Sequence, residues 1–116
     1  MVAGRSSDVV ISHHAVKGLD MRRCYLVSYD IRSPKRWRKV FKTMNGHGEH
    51  WQYSVFFCVL KEIDRVRMQA QLEEHMNLKE DQCVIVDLGP NEEEARDAAT
   101  VLGPSLPSQE AGVLVV

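Results

Sequence analysis

Hydrophobic positions along this chain alternate between strand-like runs and helical stripes. Cys24–Ile31 (Cys-Tyr-Leu-Val-Ser-Tyr-Asp-Ile) is rich in aromatic and branched residues and has the length of one strand, closed by Ser33-Pro34. From Pro34 the period changes: Trp37, Val40, Phe41 and Met44 recur at i, i+3, i+4 and i+7, one apolar stripe on a helix otherwise covered by Lys35, Arg36, Arg38, Lys39 and Lys42. Ser33 is placed to cap that helix, Pro34 takes its first position, and Asn45-Gly46 ends it. Gly46-His47-Gly48-Glu49 reads as a turn or flexible loop. Trp51–Leu60 is long for one strand, and a tight bend or bulge at Tyr53-Ser54-Val55-Phe56 would divide it. Asp64 is the expected cap of a second helix running to about Asn77, with Met68, Leu72 and Met76 inward and Val66 and Ala70 beside them. Gln82–Leu88 is the last clear core strand before Gly89-Pro90.

The ends read differently. Residues 1–20 carry no sustained period and are expected to be a disordered leader or upstream extension; the pair His13-His14 has no third ligand near it. Residues 91–116 combine an acidic stretch rich in Ala, Ser and Pro, a linker or short exposed helix, with the apolar run Gly112–Val116, which reads as an extra strand able to pair with a sheet edge of its own or a partner chain. Between them, residues 21–90 have the order β-α-β-β-α-β. That order predicts an α+β, ferredoxin-like sandwich with a C-terminal extra strand. It further suggests that the first and third strands are central and parallel. Helices on one face leave the other sheet face in need of a cover, so a homodimer through the sheets is expected.

A length of 116 residues fits one modest core, and no apolar run approaches the roughly 20 residues of a membrane span. Cys24, Cys58 and Cys83 all lie inside apolar strand-like runs without CxxC spacing, the pattern of buried reduced thiols in a cytoplasmic protein. A net charge of −1 hides a polarity: residues 21–45 hold eight basic side chains and one acid, whereas residues 62–116 hold four basic and twelve acidic ones. One face meeting phosphates would produce that asymmetry, as would a solvated helix beside an acidic tail.

The single acid of the basic half is Asp30, at the expected carboxyl end of the first strand. Dense ligand clusters are missing from the sequence, and one carboxylate per chain suits Mg²⁺, or Mn²⁺ in its place, better than zinc. Two Asp30 side chains meeting across a dimer axis would hold one metal, able to polarise a phosphodiester and activate water. Arg32, Lys35, Arg36, Arg38 and Lys39 would flank it and hold a phosphate backbone. An Asp at an exposed strand end with no such role remains the alternative. His47 and His50 flank a glycine-rich turn, as candidate general acids, phosphate contacts, a pH-sensitive hinge or plain surface residues. Ser54 and Phe56 read as bend and core residues. Asp87, at the opposite end of the sheet, is assigned a structural or solvated role.

The strand end Tyr29-Asp30-Ile31, the basic helix leaving at Gly46, and the run Gln52-Tyr53-Ser54-Val55-Phe56 together resemble the family of CRISPR-associated protein two, the partner of the CRISPR integrase. The resemblance spans about 21–88. It implies a ferredoxin-like homodimer with the C-terminal strand on the partner's sheet, and Asp30 as the paired metal-binding acid. Basic residues of 32–39 would contact DNA or RNA, with Ser54 and Phe56 near the dimer cleft. The chain departs from the family in having His50 where Arg often stands. The implied activities are metal-dependent endonuclease cleavage of RNA or double-stranded DNA during spacer acquisition, or a non-catalytic bridging role beside the integrase. A toxin-type ribonuclease of related fold is a third reading.

Overall fold

A computed structural model describes residues 21–106. The expected elements are present: β1 (Arg22–Asp30), α1 (Pro34–Asn45), β2 (Glu49–Gln52), β3 (Val55–Lys61), α2 (Glu62–His75) and β4 (Gln82–Gly89), followed by a short helix α3 (Glu92–Asp97). The strands form one sheet in the order β2-β3-β1-β4, so β1 and β3 are central. Every neighbouring pair is antiparallel, which corrects the expectation of parallel central strands. Crossovers through α1 and α2 put β2 and β4 at the edges, and the β2–β3 hairpin reverses the chain before β3 pairs with β1. The result is the ferredoxin-like β-α-β-β-α-β arrangement. The expected extra strand at Gly112–Val116 and the leader 1–20 lie outside the described residues.

Strand alternation sorts the side chains onto two faces. On one, Tyr25, Val27 and Tyr29 of β1 join Phe56, Cys58 and Leu60 of β3 beneath Val40 and Met44 of α1 and Met68 and Leu72 of α2, all buried. Removing a ring from this layer, as in Phe56→Ala, would cost about 3–5 kcal/mol. α1 starts as expected: the Ser33 hydroxyl accepts from the Arg36 N–H at 3.2 Å and Pro34 occupies the first turn. α2 begins three residues earlier than expected. Lys61 is its cap and makes no side-chain cap bond, while Glu62 and Asp64 sit in the first turn, where carboxylates favour the positive helix end. Val66 and Ala70, expected beside the inner row, are exposed instead.

The second sheet face is partly covered by the chain itself. α3, whose cap Asn91 accepts from the Glu94 N–H, lays buried Ala95 over Cys24 and Phe57, with Trp51, Val59 and Leu88 around them. Arg96 clamps this helix down by a two-armed ion pair to Glu49 (2.7 and 3.0 Å) and lies 4.6 Å over the Phe57 ring. The acidic segment thus contains a docked helix as well as a linker. Val84 and Val86 stay 47% and 41% exposed on this face, an apolar strip that α3 does not reach.

The 46–48 connection is tight rather than flexible: Gly46 donates to Thr43, and His47 and Gly48 donate to the Met44 carbonyl. A Cβ at Gly48 would stand 2.6 Å from the Phe57 carbonyl and 2.5 Å from Cys58 Sγ, so only glycine lets β2 close against β3 here. His47 Nδ1 sits 2.9 Å from the Thr43 carbonyl, which can only accept, so that nitrogen carries the proton. Among the described residues no helix is long and apolar enough to cross a membrane. Cys24, Cys58 and Cys83 are free; Cys24 and Cys58 are buried and Cys83 is half-buried. Burial pushes the Cys58 thiol up to about 12 and that of Cys83 to about 11, so both stay protonated at neutral pH.

Candidate functional site

β1 delivers Asp30 to the end of the sheet, where it pairs with Gln82 and turns into the loop before α1. Its even position puts it on the same sheet face as Leu26 and Ser28, away from the helices. Both Asp30 and Arg32 have 66% exposed side chains, and they form a loose 3.5 Å ion pair. A cleft of about 540 Å³ opens at this point, bounded by Asp30, Arg32, Trp37, Arg38, Tyr53 and Ser54. The β2–β3 corner reaches it because Ser54 is tied twice. Its carbonyl accepts from the Tyr29 N–H at 3.1 Å, and its hydroxyl accepts from Trp37 Nε1 at 3.2 Å. One acid, two guanidiniums and two large aromatic rings thereby converge from three segments of chain.

The other sequence candidates separate by location. Lys35 and Lys39 are exposed on α1 but do not line the cleft. Arg36 faces elsewhere. Its Nε donates to Asp81 Oδ2 at 2.8 Å and its Nη2 to Asp81 Oδ1 and Glu80, at 3.1 and 2.9 Å. Its guanidinium is engaged in holding the fold together. Phe56 is fully buried, stacked with Tyr29 and His50, and touches the cleft only through its neighbours. His50 is exposed but packs its ring on Phe56 and against the edge of Phe41. Asp87 pairs with Arg23 at 3.0 Å at the far end of the sheet, a structural placement. Burial opposes its ionisation, but the Gly89 N–H and Arg23 outweigh this and lower its pKa.

Two features escaped sequence reasoning. Asp81, in the turn before β4, has a side chain sealed from solvent and accepts from the Arg32 and Asn77 backbone N–H groups (2.8 and 2.9 Å) besides Arg36. The Arg36 guanidinium, aided by those N–H groups against the cost of burial, holds its carboxyl well below the usual range. This one carboxylate fastens the Asp30–Ser33 loop, α1 and the end of α2 together. Nothing local in Asn-Leu-Lys-Glu-Asp marks it as buried. The second is the Trp37–Tyr53 pair, stacked at 4.7 Å; an aromatic on so basic a helix was the available signal. Tyr29, beneath the cleft, has a buried hydroxyl without a hydrogen-bond partner among the described residues. Burial pushes its pKa up to about 12, so it is a neutral wall rather than a base.

Groups of three or more metal-ligating side chains do not occur among the described residues. At the cleft Asp30 offers one exposed carboxylate. That donor fits Mg²⁺ or Mn²⁺ only as part of a shared site, completed by water, substrate phosphate or a second carboxylate.

Comparisons with known proteins agree with this architecture. The family model for CRISPR associated protein Cas2 matches residues 22–96. A protein of Geobacter sulfurreducens named CRISPR-associated endoribonuclease Cas2 is 50% identical over 72 residues, covering 62% of this chain and 76% of that protein. One of Rhodospirillum rubrum, named CRISPR-associated endoribonuclease Cas2 1, is 48% identical over 69 residues, covering 60% and 68%. The crystal structure of Streptococcus pyogenes Cas2 at pH 6.5 superposes with a TM-score of 0.62 at 29% identity, over 69% of this chain and 99% of that one. With more than half its length matched by the family model, and with the same fold at the same elements, the chain belongs to the CRISPR-associated protein Cas2 family.

Proposed function

We propose that this protein is a metal-dependent endonuclease of CRISPR spacer acquisition. It would act as a homodimer in which two Asp30 carboxylates share one Mg²⁺. The observation that carries the reading is the exposure of Asp30 at the mouth of a cleft flanked by Arg32 and Arg38. The apolar strip of Val84 and Val86 on the same sheet face supports a partner there, because an antiparallel sheet with a half-covered apolar face gains by burial. When bound, Mg²⁺ supplies Lewis-acid chemistry to a phosphodiester. Arg32 and Arg38 hold the phosphate backbone at the cleft, and Lys35 and Lys39 extend the cationic surface along α1. Such contacts read no base identity, so cleavage is poorly sequence-specific. The relatives named endoribonucleases favour RNA as the substrate.

The test is cleavage of labelled single-stranded RNA and double-stranded DNA, with Mg²⁺ or with EDTA, by wild type and Asp30→Ala. A rate that needs metal and falls at least about 100-fold in the mutant, with dimer and binding intact, supports the nuclease and names its substrate. Equal rates in both proteins overturn it.

One observation favours a second reading. Asp30 already has a partner in Arg32, an arrangement equally suited to a charge kept for shape in a DNA-bridging adaptor beside the CRISPR integrase. In that role Asp30→Asn captures spacer DNA like wild type, while loss of Arg32 and Arg38 abolishes capture.

A further inference from the structure

The surface ring at the β2–β3 corner is unusual in what lies under it. Tyr53 is 73% exposed, yet its inner face stacks on Trp37 with ring centroids 4.7 Å apart and planes 18° from parallel. Trp37 stacks in turn on Phe41, at 5.1 Å and 11°. The indole N–H is fixed on the Ser54 hydroxyl, and the Ser54 carbonyl is held by the Tyr29 N–H. Three near-parallel rings thus form a rigid ladder rooted in the core, with its outermost rung in water. A bend needs no aromatic residue, and leaving this much ring exposed forgoes burial that a polar residue would not miss. Tyr53, Trp37, Arg38, Arg32 and Asp30 line the same cleft.

From this juxtaposition the geometry points to Tyr53 as a stacking platform for an unpaired nucleobase, placed so that the phosphate beside that base reaches Arg32 and Arg38, next to Asp30. Cations track a backbone while an aromatic face takes a base of any identity, which is how single strands are held without sequence readout. A base inside a duplex already has both faces covered and offers none to Tyr53. The platform therefore makes single-stranded nucleic acid, or a frayed end, the preferred strand at the cleft. Stacking requires only the outer ring face, so the phenol oxygen is dispensable. The inference rests on the nucleic-acid reading proposed above but not on metal chemistry or cleavage.

Binding under EDTA tests it without any turnover. Fluorescence anisotropy would follow a short labelled RNA strand, and the same strand with one abasic nucleotide, titrated with wild type, Tyr53→Phe and Tyr53→Leu. Tyr53 is exposed, so neither variant threatens the fold, and circular dichroism checks this. The expected result is about 10-fold weaker single-strand binding for Tyr53→Leu and unchanged binding for Tyr53→Phe, as loss of one base–aromatic stack implies. The abasic nucleotide should weaken wild type at one register and leave Tyr53→Leu indifferent. A blunt duplex should bind all three proteins alike. Equal single-strand affinity in wild type and Tyr53→Leu, with binding still weakened in Arg38→Ala, overturns the platform and leaves the nucleic-acid reading standing. No binding of any strand by wild type overturns both.

Discussion

Two acid–arginine pairs meet at the loop between β1 and α1, and they are opposites. Asp30 and Arg32 meet at 3.5 Å with two-thirds of each side chain in water. Asp81 and Arg36 meet at 2.8 Å, with the carboxylate sealed and two backbone N–H groups also aimed at it. The exposed pair gains little from its Coulomb attraction and is free to exchange its partner for a phosphate or a cation. The sealed pair is committed, because removing either member strands a buried charge or orphaned donors. Residue types are the same, although one pair is two residues apart in sequence and the other is 45. Solvent access separates the member of a site from the member of a scaffold.

The sharpest way to break that contrast is Asp81→Ala. Four N–H donors lose their acceptor, and a loss of about 3 kcal/mol in urea unfolding is expected, whereas Asp30→Ala should stay within about 0.5 kcal/mol of wild type. Comparable losses in the two variants would refute the division.

Acid sharpens it next. The folded pKa of Asp81 is depressed, so its stabilisation is complete above the unfolded carboxylate value of about 3.9 and drains away as pH falls below it. Wild type should lose unfolding free energy on acidification from about pH 5 downward, and Asp81→Asn, already weaker, should lose distinctly less over the same range. Parallel curves would mean that some other carboxylate governs acid stability.

A smaller effect separates the two helix arginines. Arg36→Ala should lower the melting temperature while Arg38→Ala leaves it unchanged. Arg38→Ala should instead weaken binding of all sequences alike, with the slope of log affinity against log salt reduced by about 1. The smallest expected change is in thiol labelling. Native Cys24 and Cys58 should resist a thiol reagent that modifies them readily in denaturant, since both are buried and burial raises both pKa values. Fast native labelling of either would show that the sheet opens.

Legibility followed range of interaction. The cap at Ser33, the stripe on α1, the division of Trp51–Leu60 and the strand Gln82–Leu88 rest on neighbours within a few residues, and periodicity exposed them. The start of α2 was displaced because Asp64 looks like a cap while the Lys61 backbone makes the turn without side-chain help. Strand direction was misjudged because it depends on how two crossovers fold back on one sheet, which no local pattern encodes.

By itself the sequence determined the element order, the α+β class, the apolar layer beneath the helices and the position of Asp30 at a strand end. These follow from alternation, helical spacing and turn chemistry, all written within short stretches of chain. Only the tertiary structure decided which cations are available. It took Arg36 for Asp81 across 45 positions and left Arg38 at the cleft, although both sit on one helix. It also brought Tyr53 onto Trp37 and laid α3 over the second sheet face. Such choices are made by solvent exclusion and by the geometry of distant segments, and two side chains of one type in one helix become different chemical groups when one meets a buried partner and the other meets water.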